Sequence, residues 1–188
     1  MRQYFENVFG ELLSLIQDQD IRNKTVDAWV LAAEQGGWTK PEELEKMPFT
    51  LLTDCRGINL IEHTIAVTKG AIGLANSITS TYAVPWWNMN MDFVVAGGLL
   101  HDVGKLDEFE LVDGEYRKSL AGKCARHPIS GATIASKVDL PLEIINIIAC
   151  HAKEGEGRPQ RVETVMIHQA DFATFNPMVM LKGGTLIV

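Results

Sequence analysis

The chain has 188 residues, of which 46% are hydrophobic and 22% charged, a composition that excludes disorder for most of its length. Its formal net charge of −7 argues against an extended nucleic-acid surface, because non-specific binding to phosphate backbones requires a basic face. Three cysteines without paired spacing predict a reducing compartment and no disulfide framework.

The first residues and the apolar runs of the sequence bear on location. The N-terminus lacks the basic and then apolar pattern of a secretory signal peptide. No apolar run approaches the roughly 18 residues that a membrane-spanning helix needs. We therefore expect a cytoplasmic protein without membrane contact. The length is typical of one domain, residues 1–188, and the sequence does not define the oligomeric state.

Helical spacing dominates the first part of the chain. Apolar residues recur at three- and four-residue steps through residues 1–34, which predicts a helical N-terminal extension over residues 1–50. Thr39 with Glu42 has the pattern of a capping box, so we expect a short helix to start there. The next helical pattern runs from about residue 59 to residue 78 and contains a histidine, His63.

The middle of the chain is predicted to form a loop followed by a helix. The segment from 80 to 90, which includes Trp86 and Trp87, is predicted as a loop. A helix is predicted from an N-cap at Asp92 to a stop at Gly104. Its interior pair of glycines, at 97 and 98, lowers helix propensity and indicates close approach by another backbone. This helix ends in His101, Asp102 and Lys105.

A hairpin and further helices follow. An Asp-Gly turn within residues 109–118 predicts a two-stranded hairpin that pairs Leu111 with Tyr116 and Glu110 with Arg117. Helical patterns come next, one of them with Asp139 as its expected cap. Two further histidines, His127 and His151, lie in this part of the chain, and a charged loop follows over residues 153–161. The last predicted helix, residues 162–175, contains His168 and Asp171.

The candidate metal ligands are scattered along the sequence but can meet in a helical bundle. They are His63, His101, Asp102, His127, His151 and Asp171. Imidazole suits several transition metals, and a carboxylate can bridge two ions, so this set fits a site for one or two metals. His168 is expected to support the site or pack beside it rather than to serve as a seventh ligand.

The order of these residues and the short motifs around them resemble the HD superfamily of metal-dependent phosphohydrolases. The match covers about residues 56–175, the expected HD core, and is carried by Glu62-His63-Thr64, Leu100-His101-Asp102-Val103-Gly104-Lys105, His127-Pro128-Ile129-Ser130-Gly131-Ala132 and Gln169-Ala170-Asp171. The resemblance implies an all-α fold, an HD helical bundle to which the hairpin near residues 109–118 is added.

The resemblance also implies roles for these residues. His63, His101, Asp102 and Asp171 would hold one metal, and Asp102 would bridge to a second metal held by His127 and His151, as in the dinuclear subset that includes the HD-GYP phosphodiesterases. The metal would be a divalent ion such as Fe, Mn, Co, Ni or Zn, with Mg also compatible. Lys105 would contact substrate phosphate and stabilise developing charge, and four arginines close in sequence could bind other phosphate oxygens: Arg56, Arg126, Arg158 and Arg161.

The expected function is hydrolysis of a small, nucleotide-like phosphoester by a metal-activated water. Asp102 and Lys105 are the candidate catalytic residues. The hairpin, the charged loop and the last helix are also similar to the HD domain of bacterial 3′-to-5′ exoribonucleases, although the acidic net charge argues against cleavage of a polymer. Two alternatives remain open, since nearly the same ligands serve HD-type di-iron oxygenases and the fold can also serve a noncatalytic nucleotide-binding module.

Overall fold

The computed structural model describes residues 1–83 and 88–187 and confirms the all-α class with one small hairpin. Trp86 and Trp87 lie outside the described residues. The helices and strands, in chain order, are α1 (Arg2–Val8), α2 (Gly10–Leu13), α3 (Gln19–Gly36), α4 (Pro41–Leu44), α5 (Leu60–Thr81), α6 (Met91–Leu100), α7 (Lys105–Glu108), β1 (Phe109–Val112), β2 (Glu115–Lys118), α8 (Leu120–Cys124), α9 (His127–Lys137), α10 (Leu142–Cys150) and α11 (Val162–Lys182), with a 3₁₀ turn over Lys153–Gly155 before α11.

The bundle that positions the site is formed by the longer helices. Helix α5 packs between α6 and α11, and α10 packs against α6, α9 and α11. A small apolar cluster joins α5, α6, α10 and α11. A larger core joins the N-terminal helices to α6 and α9, with Trp29 fully buried in it. The predicted division into an extension of residues 1–50 and a core of residues 56–175 stays a prediction.

The hairpin forms in the predicted register. Leu111 faces Tyr116 and Glu110 faces Arg117, whose Nε donates to the Glu110 carboxylate at 2.8 Å. The turn residues have φ of 53° at Asp113 and 83° at Gly114, because a two-residue turn of this type needs two left-handed positions.

The predicted helix from Asp92 to Gly104 was wrong at both ends. Asn90 is the N-cap of α6, and the Asp92 carboxylate instead accepts the backbone N–H groups of residues 17 and 18, both at 2.8 Å. Helix α6 stops at Leu100 because the chain then tightens into i,i+3 hydrogen bonds, such as Lys105 N–H to the Asp102 carbonyl at 2.9 Å. His101 and Asp102 therefore lie in a turn between α6 and α7.

Two predicted caps were also wrong. Helix α4 is capped by Lys40 rather than Thr39, since Pro41 occupies the first helical position and fixes the cap one residue later. Pro141 precedes α10, and Asp139 instead adopts a left-handed φ of 55° at the end of α9.

The last helix is longer than predicted. The sequence predicts an end near Phe175, but α11 continues through Pro177 to Lys182. Met178, beyond the proline, packs on the larger core together with Phe175, which provides a reason for the helix to persist.

Among the described residues, no helix is both long enough and apolar enough to cross a bilayer.

Candidate metal centre

Helices α5 and α11 bring the first pair of ligands together. Asn59 caps α5: its side-chain oxygen accepts the Glu62 backbone N–H, and the Glu62 carboxylate accepts the Asn59 backbone N–H. The helix therefore starts one turn before His63. His63 is buried, and its Nε2 lies 3.2 Å from Oδ1 of Asp171 on α11. Phe49 stacks on the His63 ring with centroids 4.2 Å apart, which fixes the plane of the imidazole.

The turn after α6 supplies the centre of the site. His101 and Asp102 are almost fully buried there. The His101 Nδ1–H donates to the Gly98 carbonyl at 2.7 Å, so the Nε2 atom points inward as the unprotonated ring nitrogen. A Cβ on Gly98 would lie 3.0 Å from Cα of Thr68 on α5, so the expected close backbone approach is observed at this glycine.

The remaining two histidines lie at helix ends. His127 is the first residue of α9, where the α7 segment approaches so closely that a Cβ on Gly104 would lie 2.2 Å from the His127 carbonyl oxygen. His151 follows α10, and its Nδ1–H donates to the Ile148 carbonyl at 2.8 Å. Both side chains are buried and face Asp102.

All six predicted ligands converge, and the Asp102 carboxylate divides them into two groups. Its Oδ2 lies 3.4 Å from Nε2 of His63 and 3.3 Å from Nε2 of His101. Its Oδ1 lies 3.3 Å from Nε2 of His127 and 3.7 Å from Nε2 of His151. The candidate ligand groups are His63 with His101 and Asp171, and Asp102 with His127 and His151.

The donor set fits divalent metal ions. Within the described part of the chain, three buried nitrogens that face the centre have no hydrogen-bond partner: Nε2 of His63, His101 and His151. Buried polar atoms without partners are costly, and cations bound by the two ligand groups would satisfy these nitrogens. Three imidazoles are thus oriented with their ligating nitrogen inward.

Charge in the site is balanced by neighbouring groups. Burial by itself would raise the pKa of Asp102, but the Lys105 ammonium and the nearby His101 outweigh it and hold this pKa well below its usual value. Burial by itself would also raise the pKa of Asp171, but the His63 imidazole 3.2 Å away outweighs it and the pKa is lowered to about 2. Both carboxylates are therefore held in the ionised form that metal binding requires.

Lys105 lies inside the site rather than at its edge. Its Nζ is 2.6 Å from Oδ2 of Asp102, and it donates a hydrogen bond to the Phe49 carbonyl. The side chain lines a cavity of about 210 Å³ that opens onto Asp102, His127 and Asp171. The aromatic part of its wall is formed by Phe49, Phe172 and Phe175.

The four candidate arginines are distributed unequally. Arg126 lines the cavity and pairs with Glu154 at 2.5 Å. The residues that line this cavity do not include Arg56, Arg158 or Arg161. Arg161 instead pairs with Glu163 at 3.1 Å and lies over the Phe93 ring.

Two residues that support the site emerge only from the structure. The Glu108 carboxylate accepts hydrogen bonds from the backbone N–H of His127 at 2.6 Å and from its Nδ1–H at 2.8 Å. Burial opposes ionisation of Glu108, but these bonds outweigh it and lower its pKa to about 2. Thr174 places its hydroxyl 3.5 Å from Nδ1 of His63. The sequence shows Glu108 three residues after Lys105 but does not indicate that it contacts His127.

The fifth histidine of the chain, His168, supports the site from outside. Its Nδ1–H donates to the backbone carbonyl of His151, and its ring packs on Phe172 with centroids 4.4 Å apart. It belongs to neither candidate ligand group. This placement agrees with the expected supporting role.

The comparisons with known proteins identify the family. The family model described as HD domain matches residues 60–172, which contain all six converging ligands. The chain belongs to the HD-domain family. No solved structure gives a significant match to the chain.

The curated relatives of this HD domain are named as phosphodiesterases and nucleases. The dihydroneopterin 2′,3′-cyclic phosphate phosphodiesterase of Methanocaldococcus jannaschii is 34% identical over 116 residues, 61% of this chain and 45% of the relative. Ribonuclease Y of Thermotoga petrophila is 32% identical over 115 residues, 61% of this chain and 18% of the relative. Ribonuclease Y of Thermosipho melanesiensis is 30% identical over 135 residues, which are 72% of this chain and 22% of the relative. This chain spans less than half the length of these relatives.

Proposed function

We propose that this HD domain is a dinuclear metal-dependent phosphodiesterase that hydrolyses a small, nucleotide-like phosphoester. The observation that carries the proposal is the position of Asp102, whose two oxygens face separate groups of ligands. One ion would be held by His63, His101, Asp171 and Asp102, and the other by Asp102, His127 and His151. Bound ions of this kind lower the pKa of a coordinated water and neutralise charge on phosphoryl oxygens.

Cationic side chains around the cavity support a phosphoester substrate. Lys105 and Arg126 both line the wall beside Asp102 and His127. Lys105 would stabilise charge that develops on the phosphoryl group, and the planar guanidinium of Arg126 would orient phosphate oxygens. Arg56, Arg158 and Arg161 have no comparable position at this cavity, so we assign them no role in the reaction.

The aromatic wall of the cavity supports a substrate with a planar group. Phe172 and Phe175 are half-buried and follow the ligand Asp171 on α11, at one and four residues. Phe175 contacts Phe49 edge to face, with centroids 6.4 Å apart. A partly exposed aromatic surface beside a metal site can stack on a nucleobase or a similar heterocycle.

The relatives favour a phosphodiester over the alternatives. Both kinds of relative carry names of enzymes that cleave phosphodiester bonds, whereas the ligand set by itself is also compatible with a di-iron oxygenase. The complete set of six ligands argues against a noncatalytic module, since such a module has no need to retain them. The proposed metals are Mn²⁺, Fe²⁺ or Co²⁺, which suit mixed imidazole and carboxylate ligands.

Hydrolysis assays test this function directly. Protein loaded with Mn²⁺, Co²⁺ or Fe²⁺ should release nitrophenol from bis(p-nitrophenyl) phosphate and open 2′,3′-cyclic AMP, with slower turnover of p-nitrophenyl phosphate and of a single-stranded RNA oligonucleotide. Asp102→Asn should abolish turnover, since the neutral amide is a poor bridge between cations. Asp113→Asn is the matched control, because Asp113 is an exposed turn residue whose φ of 53° asparagine also tolerates.

The outcomes of these assays separate the alternatives. Inactivity with every metal on all of these phosphoesters would contradict the proposal. Substrate-dependent oxygen uptake by the iron-loaded protein would favour the oxygenase, and faster cleavage of the oligonucleotide than of the cyclic nucleotide would overturn the small-substrate assignment.

A further inference from the structure

The histidines of the two ligand groups differ in what holds their outer ring nitrogen. His101 and His151 donate Nδ1–H to main-chain carbonyls. His63 has the Thr174 hydroxyl 3.5 Å from its Nδ1. Among these four described histidines, His127 is the one whose Nδ1 bonds to a carboxylate, that of Glu108 at 2.8 Å. A charged acceptor therefore supports one ligand group and not the other.

Glu108 is itself held from several directions. It is 5% exposed, and its Oε2 accepts both N–H groups of His127. Its Oε1 lies 3.1 Å from Nζ of Lys118 on the hairpin. A Cβ on Gly122 would lie 2.4 Å from the Glu108 carbonyl, so α8 closes tightly over the residue. The carboxylate has little freedom to turn away from the imidazole.

This geometry has a specific consequence for metal binding. A carboxylate that accepts Nδ1–H fixes the tautomer with Nε2 free, sets the orientation of the ring and makes the imidazole a stronger donor to a metal. Nε2 of His127 lies 3.3 Å from Oδ1 of Asp102, on the side of the second ligand group. Loss of the carboxylate should therefore affect the group of Asp102, His127 and His151 before the other.

We propose that Glu108 is a positioning residue for His127 that sets the affinity of the second metal site, while the site of His63, His101 and Asp171 is independent of it. The inference rests on the two-metal centre of the proposed function. It goes beyond that function because it assigns a difference between the two sites to one residue that binds neither metal nor substrate.

Metal titration of stripped protein tests the difference between the sites. Wild-type protein should bind two Mn²⁺ or Co²⁺ ions per chain by calorimetry and elemental analysis. Glu108→Gln retains an acceptor for the imidazole but loses the negative charge. It should therefore lower the affinity for the ion at Asp102, His127 and His151 by about 10- to 100-fold and leave the affinity for the other ion unchanged. Glu108→Ala should bind one ion. Glu110→Gln, a half-exposed residue two positions on, is the matched control and should bind two.

A second readout does not depend on metal or activity. Nitrogen-15 spectra of the stripped protein report the tautomer of each histidine. Wild-type and Glu108→Gln protein should show His127 protonated at Nδ1, and Glu108→Ala should show a mixture of tautomers at His127 with His101 and His151 unchanged. If the alanine variant does not fold, the nearly isosteric glutamine variant decides the question.

The results that would overturn the inference are distinct. Two ions of unchanged affinity in Glu108→Gln, or equal weakening of both ions, would overturn it and leave the proposed function intact. A wild-type protein that binds one ion would overturn the two-metal centre and this inference together.

Discussion

At the scale of single residues, Asp102 shows how one side chain can organise a site. A carboxylate buried to this degree is expensive unless cations surround it. Lys105 supplies one cation at 2.6 Å, and four imidazole nitrogens lie between 3.3 and 3.7 Å from its two oxygens. Besides Lys105, Oδ2 faces the Nε2 atoms of His63 and His101, which have no hydrogen-bond partner among the described residues, and this arrangement favours binding of a further cation.

His168 offers a test of which histidines bind metal. His168→Phe preserves the ring that packs on Phe172 but removes the hydrogen bond to the His151 carbonyl. Because this bond orients the His151 backbone and not a metal, the variant should retain two ions per chain by elemental analysis. His151→Phe, the paired variant, should lose one ion. A stoichiometry of one in His168→Phe would instead identify His168 as a ligand.

The convergence of the candidate ligands could be predicted from the sequence, whereas the residues that support them could not. His63, the His101–Asp102 pair and Asp171 belong to motifs that resemble the HD superfamily, and the order of these motifs, rather than apolar periodicity, predicted that they meet. Glu108 and Thr174 act through contacts with residues 19 and 111 positions away, and no local pattern encodes such distances. The substrate arginines were chosen by proximity along the chain, which is a weak guide to position in a bundle, and Arg161 lies over Phe93 instead.

At the scale of elements, glycines determine how closely the ligand-bearing helices approach. A Cβ on Gly97 would lie 2.6 Å from Ile147 of α10, and one on Gly104 would meet the main chain of α9. Gly104 has an ordinary φ of −66°, so its role is close approach and not backbone conformation. The Gly97-Gly98 pair predicts a close approach of another segment to this helix, but the sequence does not show which residues make that approach.

Gly104→Ala should therefore be destabilising although alanine is the better helix former. Its Cβ would lie 2.2 Å from the His127 carbonyl and 2.5 Å from the Gly131 nitrogen, so α7 and α9 must separate. We expect a loss of about 1–3 kcal/mol in the free energy of unfolding, measured by urea denaturation of metal-free protein.

Gly73→Ala is the matched control for this prediction. Gly73 is exposed within α5 and has no atom within 4 Å of the added Cβ among the described residues. It should stabilise the protein by up to about 1 kcal/mol. Equal effects of the two variants would show that the contact between α7 and α9 is not tight.

The helix ends show where sequence patterns fail. Asp92 and Asp139 both have the residue type of an N-cap, but Asp92 binds the backbone at residues 17 and 18, and Asp139 ends a helix in a left-handed conformation. Acidic side chains satisfy orphan N–H groups wherever these occur, and tertiary contacts decide which ones they reach.

At the scale of the molecule, metal binding should link elements that are distant in sequence. The six candidate ligands come from α5, the turn after α6, the start of α9, the residue after α10, and α11. Ions that bind these residues only in the folded state stabilise that state by mass action. The fold and the centre should therefore be thermodynamically coupled.

Removal of metal should lower thermal stability. At a free ion concentration about 100 times the dissociation constant, each ion contributes about 2.7 kcal/mol to the free energy of unfolding. We expect the melting midpoint by calorimetry to fall on chelation and to recover on addition of Mn²⁺. Asp102→Asn should show a much smaller recovery, and an equal recovery in that variant would place the ion elsewhere.

Two tryptophans of the N-terminal region, Trp29 in α3 and Trp38 just after it, hold the two ends of the central motif. The Trp29 indole N–H donates to the Leu99 carbonyl at 2.9 Å, and the Trp38 indole donates to the Leu106 carbonyl at 2.7 Å. Leu99 precedes His101 by two residues, and Leu106 directly follows Lys105. Carbonyls in the last turn of a helix have no partner within it, so these indoles satisfy groups that would otherwise be buried and unpaired.

Trp29→Phe and Trp38→Phe should each lower the free energy of unfolding by about 1–3 kcal/mol, because each leaves a buried carbonyl without its donor. Tyr4→Phe is the control, since the Tyr4 hydroxyl is buried without a hydrogen-bond partner among the described residues and its removal should cost nothing. Urea denaturation of metal-free protein measures all three. If the tryptophan variants matched Tyr4→Phe, the N-terminal helices would merely cover the bundle, and the ends of the motif would be held by the core alone.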